Sequence, residues 1–258
     1  MFKILIIILG LMISITSLAQ KGKKDRRDDI RRRNNALAKQ EEDGVIAYRK
    51  QIVFGGKLIN DGYGIFFEIG KATTVSKSML FQLELSERKS PREEKLTNTQ
   101  NYAAPLIYGK QNFIYPVKLG AQQQILFGNK SNKNGVSVTG NFGGGLALSL
   151  VRPYYVQLGT TGKYVKYESP DSVSFLTPSD ISAGPGFSKG WNDLKIVPGA
   201  YVKTALRFDY GSYNEIVSAI EVGISAEYYS KKIPILVKSN PKAFFFSGYV
   251  ALIFGKRK

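Results

Sequence analysis

Between Ser218 and Lys232 the chain reads SAIEVGISAEYYSKK, an alternation that few folds can house. Successive side chains of an extended chain point to opposite faces. Ile220, Val222, Ile224, Ala226 and Tyr228 therefore share one face, and Glu221, Gly223, Ser225 and Glu227 share the other. A helix would scatter both sets around its circumference, so the segment is a strand with one oily and one acidic side. The pattern recurs. Ile65, Phe67 and Ile69 oppose Phe66 and Glu68; Met79, Phe81, Leu83 and Leu85 oppose Gln82, Glu84 and Ser86; Phe113, Tyr115, Val117 and Leu119 oppose Lys118 and Gln122. Val136, Val138, Phe142, Leu146, Leu148 and Leu150 stand against Ser137, Thr139, Asn141, Ala147 and Ser149. Ile196, Ala200, Val202, Leu206 and Phe208 do so against Tyr201, Lys203 and Arg207.

A soluble sandwich hides its apolar face and wets the other, whereas a membrane barrel does the reverse, and one alternating strand fits both. The ensemble favours lipid. The apolar sets are rich in Phe, Tyr and Leu and occur in nearly every strand. The opposite faces carry acids (Glu68, Glu84, Glu221, Glu227) and bases (Lys118, Lys203, Arg207) able to pair across a narrow interior. These seven residues are the expected lumen charge network.

Residues 1–19, MFKILIIILGLMISITSLA, carry one early charge at Lys3, an apolar run from Ile4 to Ile15 and a small-x-small end at Ser17-Leu18-Ala19, the pattern of a secretory signal peptide. The run falls short of the ~20 residues of a spanning helix, and no later run approaches it. A membrane-integrated remainder must then be a closed sheet, because only helices and barrels satisfy every backbone group in hydrocarbon. Residues 20–44 are dense in charges of both signs and poor in large apolar groups, as expected of a flexible or helical periplasmic tail. Residues 45–258 are expected to form the barrel.

There is no cysteine and no histidine. That removes the usual general base at neutral pH, the thiol nucleophile and the commonest ligands for zinc, iron and copper. No cofactor, metal or catalytic residue is expected. The formal net charge is +17. An exported chain meets anionic lipid headgroups and acidic envelope polymers rather than nucleic acid, so membrane lipid and envelope proteins are the expected partners.

Ten strands follow from the alternation: Gln51–Ile59, Gly62–Lys71, Ser78–Glu87, Tyr102–Tyr108, Asn112–Leu126, Gly135–Val151, Tyr154–Tyr167, Leu194–Tyr210, Glu215–Ser230 and Ala243–Phe254. Eight remain if the first hairpin or Tyr102–Tyr108 fails to pair. With ten, the connections at 60–61, 88–101, 127–134, 168–193 and 231–242 fall on one side, matching the long external loops of outer-membrane barrels.

Gly143-Gly144-Gly145 lacks the lysine and Ser/Thr of a phosphate loop and lies inside an alternating strand, so it is expected to relieve crowding in a small barrel. The pairs Glu68/Glu84 and Glu221/Glu227 fit a salt-bridge network better than general acid–base work. Lys231, Lys232, Lys238 and Lys242 surround the apolar run Ile233–Val237, an arrangement suited to the outer headgroup level with lysines on lipid phosphates. The segment 168–193, with three prolines and Trp191, is the longest connection and the first candidate for a partner surface or lumen cap.

The stretches NDGYGIFFEIGK from Asn60, LFQLELSERKSPREEK from Leu80, LFGNKSNKNG from Leu126 and GGGLALSLVRPYYV from Gly143 resemble small outer-membrane β-barrel proteins of the Bacteroidota type, over roughly Asn60–Val156. The resemblance implies an outer-membrane location in a Gram-negative envelope and contributes no catalytic residue. Related barrels accompany gliding or type IX secretion machinery. The function expected is a non-enzymatic barrel with a charged, plugged lumen and both termini periplasmic, acting through its loops and basic tail. The alternatives are a small-solute pore, then an envelope-lipid enzyme.

Overall fold

The computed structural model describes residues 48–96, 106–130, 135–159, 161–168, 170, 172–211 and 215–258, with Asp28, Asp29, Arg32 and Ala36 of the tail in helical conformation. The expected signal peptide and the boundaries of the tail lie outside the described residues. The chain divides into two units, Met1–Arg49 and Lys50–Lys258.

In chain order the strands of the second unit are β1 (Lys50–Ile59), β2 (Gly62–Ala72), β3 (Lys77–Arg88), β4 (Lys95–Leu96), β5 (Leu106–Ile107), β6 (Asn112–Gly128), β7 (Ser137–Pro153), β8 (Tyr155–Leu158), β9 (Tyr164–Lys166), β10 (Ile181–Ala183), β11 (Lys195–Asp209), β12 (Ile216–Ile233) and β13 (Lys242–Arg257). Eight of them close into an antiparallel barrel in the ring order β1-β13-β12-β11-β7-β6-β3-β2. A circuit leaving β13 at Phe246 passes Ala226, Val202, Gly144, Ala121, Phe81, Ile69 and Ile52 and returns to β13 at Lys256, ten residues on. With ~3.3 Å per residue and ~4.8 Å between strands, that shear tilts the strands by about 41° from the barrel axis.

The oily faces look outward. Phe54, Ile65, Phe81, Leu119, Leu146, Val202 and Phe246 are exposed, and most of their outward neighbours on the ring strands are exposed or half-buried. Their alternates, including Glu68, Glu84, Lys118, Arg207 and Glu221, are buried inside. A water-soluble barrel would put that apolar area in its core, so the medium outside is hydrocarbon. Exposed Lys50, Lys71, Lys77 and Lys256 follow the belt at the end where β1 begins and β13 ends, the terminal end of the barrel. No described helix is long and apolar enough to cross a membrane.

The barrel has the smaller of the two strand counts. Leu106–Ile107, the strand among the described residues of Tyr102–Tyr108, pairs with β4, while Tyr154–Tyr167 supplies β8 and β9 of a three-stranded sheet with β10. Neither joins the ring. Both sit instead in a cap over one barrel mouth, built on Leu106, Tyr154, Val156, Val165, Phe175 and Ile181. Losing the first of these strands reverses the direction of the chain that follows. Connection 127–134 therefore moves to the terminal end, contrary to the ten-strand expectation, and losing the second returns 168–193 to the cap end. In the run Ile233–Val237, Ile233 and Leu236 are buried at the cap end, where the Val237 N–H donates to the Gly109 carbonyl.

Candidate functional site

Because β residues alternate, each ring strand sends a short series of side chains into the bore, and the described polar ones meet there. Arg207 on β11 forks onto Glu68 of β2, with Nη1–Oε1 at 2.9 Å and Nη2–Oε2 at 3.0 Å. It also donates through Nε to Glu221 Oε2 at 2.9 Å. Arg88 on β3 forks onto Glu227 of β12 at 3.1 and 3.0 Å. In the eight-member ring, β11 and β2 are diametrically opposite, and so are β3 and β12. Both forks therefore span the bore.

Lysines tie these two centres together. Glu84 accepts from Lys57 at 2.7 Å and from Lys118 at 2.8 Å, and Lys118 stands 2.7 Å from Glu227. Lys203 reaches Gln82 at 2.7 Å and Glu221 at 3.5 Å. Arg88 Nε lies 2.7 Å from Asp61 in the β1–β2 turn. Tyr249 and Tyr229 donate to Glu221 and Glu227 at 2.8 and 2.7 Å, and Asn141 donates to Glu221 at 2.8 Å. Five cations (Lys57, Arg88, Lys118, Lys203, Arg207) thus meet five carboxylates (Asp61, Glu68, Glu84, Glu221, Glu227). Such a set is not a cheap source of stability, because desolvating each ion offsets most of the attraction. Removing one partner is costly, since the charge left behind has neither water nor counterion.

All seven charged residues that the alternation assigns to the lumen belong to this column. Sequence reading missed Lys57, Arg88 and Asp61. Lys57 falls between outward Gly56 and Leu58, in phase with the inward residues of β1, and Arg88 continues the inward series Gln82, Glu84, Ser86. Period two carried one residue further would have found it. Asp61 is in a turn, where that signal does not exist. A second cluster at the terminal end, Asp209 with Arg257 at 2.7 Å and Lys130 at 3.1 Å, was also not anticipated.

Glycine makes room for the tyrosines. A Cβ on Gly120 would stand 2.5 Å from Tyr201 Oη, and one on Gly223 would stand 2.8 Å from Tyr249 Cζ. Gly145 pairs with Gly120 on one side and Tyr201 on the other, so the triple glycine lies where strands approach too closely for side chains. The acid pairs weighed for catalysis are bound to cations. Glu68 is held by Arg207, and Glu84 by Lys57 and Lys118. Among the described residues, no group of three or more Asp and Glu side chains is placed to hold a metal ion.

In the cap, Lys110 is fully buried against Glu93 at 3.0 Å, and burial lowers its pKa against the opposing pull of that carboxylate. Tyr154 accepts from the Ile107 N–H at 2.9 Å, and burial pushes its phenol up to about 12. Of the four lysines read as headgroup contacts, Lys231 and Lys232 are exposed on the cap-end part of β12 and Lys242 at the start of β13. Lys238 lies in the connection between them, with Nζ 5.1 Å from the Tyr108 ring.

Fold and lumen together define an eight-stranded transmembrane β-barrel with an ion-paired interior. No family model and no curated protein matches the sequence. Solved structures similar to this chain include the N-terminal β-barrel domain of Pseudomonas aeruginosa OprF, at 12% identity over 80% of this chain and 96% of that one, with a TM-score of 0.38. Neisserial surface protein A matches at 13% identity over 81% and 96%, with a TM-score of 0.36. Ail, the attachment invasion locus protein of Yersinia pestis, matches at 10% identity over 82% and 99%, with a TM-score of 0.37.

Proposed function

We propose that the protein is a non-enzymatic outer-membrane barrel of a Gram-negative envelope, closed to solutes, whose cap and basic tail engage envelope partners. The observation that carries the closed reading is the pair of Arg–Glu forks crossing the whole bore, Arg207–Glu68 and Arg88–Glu227. Ions cannot pass without breaking contacts whose partners have no water to turn to. Orientation follows from connection lengths. The terminal end has only short links, at 73–76, 129–136 and 210–215, whereas the cap end carries 89–111 and 154–194. Outer-membrane barrels keep short turns in the periplasm, so the cap faces outward and both termini face the periplasm. Among the described residues, each carboxylate of the column is engaged by a cation. A place beside secretion machinery is one setting for such a cap.

Reconstitution in planar bilayers tests the closed reading. The expected record shows no large, steady single-channel current. A steady current with anion preference that Lys118→Gln, Lys203→Gln and Arg207→Gln shift would establish the small-solute pore instead.

A further inference from the structure

The barrel wall is stepped. β1 and β2 end at Ile59 and begin again at Gly62, while β13 continues beyond its last pairing with β1, Tyr249 with Ile59, to Lys242. The Asn60 N–H still donates to the Gly248 carbonyl, so the six residues Lys242–Ser247 of β13 face the notch without a strand partner there, a free edge about 20 Å long. Beside this notch lies a cavity of about 440 Å³, bounded by the β1–β2 turn, by residues 88–92 after β3 and by the β12–β13 connection.

Its lining is divided. Phe244 and Phe246, 56% and 59% exposed, continue the apolar belt up to its mouth. Above them stand Lys89, Arg92 and Lys242. The only carboxylate of the lining, Asp61, is engaged by Arg88 and accepts from the Ser247 hydroxyl at 3.2 Å. Lys89 has Glu87 at 3.8 Å, while Arg92 and Lys242 have no carboxylate within salt-bridge distance among the described residues. The cavity thus offers unneutralised cations at the headgroup level directly over a hydrocarbon-facing aromatic wall. Phosphate at the membrane surface, attached to an acyl chain, meets both demands.

We propose that this notch is a binding site for one phosphorylated glycolipid of the outer leaflet, with a phosphate between Arg92, Lys242 and Lys89 and an acyl chain along Phe244 and Phe246. The site rests on the outer-membrane orientation proposed above, because that orientation puts the cap-end rim at the leaflet where phosphorylated glycolipid is found. It does not depend on whether the lumen is closed. A peptide strand added to the free edge is the rival occupant, but a strand would need no cations and would leave the exposed phenylalanines in lipid without purpose.

The test is native mass spectrometry of the detergent-solubilised full chain, titrated with diphosphoryl lipid A, with its dephosphorylated form and with phosphatidylglycerol. One molecule of the phosphorylated glycolipid should be retained about tenfold more tightly than the dephosphorylated one, and the Arg92→Gln/Lys242→Gln variant should lose that preference. Equal retention of both forms, an unchanged variant, or equal binding of phosphatidylglycerol would overturn the proposal. A photocrosslinker at Asn240 should capture lipid in native membranes, and a protein adduct alone would also overturn it. Heat-modifiable migration and protease accessibility of the cap on whole cells, read in parallel, report separately on the barrel and its orientation. A failure there is a failure of the membrane reading and not of the notch.

Discussion

Arg207 and Glu68 approach from opposite walls of an eight-strand ring and meet through two contacts of 2.9 and 3.0 Å. Their strands share no ladder, so this contact connects halves of the barrel that backbone pairing leaves independent. Arg207→Met strands Glu68 and weakens the hold on Glu221. It is expected to cost about 3–5 kcal/mol in urea unfolding of the reconstituted barrel. Adding Glu68→Leu should recover a large part of that loss, and a double-mutant cycle that shows simple additivity would contradict the coupling.

Arg88 and Glu227 form the second crossing, nearer the cap. Arg88→Ala/Glu227→Ala removes both ions at once, leaving a smaller unbalanced remainder than either single change. The double variant should still show a folded, heat-modifiable band yet give detectable bilayer conductance absent from the parent. Silence in the variant as well would leave the barrier at the Arg207–Glu68 crossing or in the cap.

Gly120 faces the Tyr201 hydroxyl at a distance no side chain tolerates. Gly120→Val should therefore slow or abolish the folded band on unboiled gels. Pairing it with Tyr201→Ala should restore only part, because the Gly144 carbonyl also lies 2.4 Å from the added Cβ.

Arg152 lies 4.9 Å from the ring centroid of Trp191 and donates to the Phe187 carbonyl at 2.6 Å, while Tyr115 stacks on the same indole at 5.7 Å. Trp191 is the sole tryptophan, so its fluorescence reports this cluster alone. Arg152→Ala should red-shift the emission and raise its quenching by iodide without altering barrel migration.

Tyr154 in the cap has its phenol raised to about 12, first by burial. The folded state holds its proton where the unfolded chain, near the ordinary phenol value of 10, has released it. Its contribution to stability is therefore full below pH 10 and lost as pH rises through about 12. The difference in tyrosinate absorbance between the parent and Tyr154→Phe should titrate near the upper value, and a midpoint near 10 would show that the phenol is exposed.

What the sequence made legible was local and periodic. Glu221 and Glu227 fall out of phase with Ile220, Val222 and Ile224 by one residue, and in a strand one residue is the whole difference between lipid and lumen. Tyr154–Tyr167 misled for the same reason. It alternates well enough for a strand, but alternation does not say which edge the strand pairs with, and here the partners are β10 within the cap. A miscount of strands then carried connection 127–134 to the wrong end, because direction reverses at every strand.

By itself the sequence determined which side chains stand on the oily face and which on the charged one, since that depends only on a two-residue repeat along an extended backbone. Only the tertiary structure decided that Arg207 meets Glu68 and Arg88 meets Glu227, and that the wall is notched above Asp61. Those relations depend on ring order and shear, which bring together residues 139 apart in the chain through closure of the whole sheet.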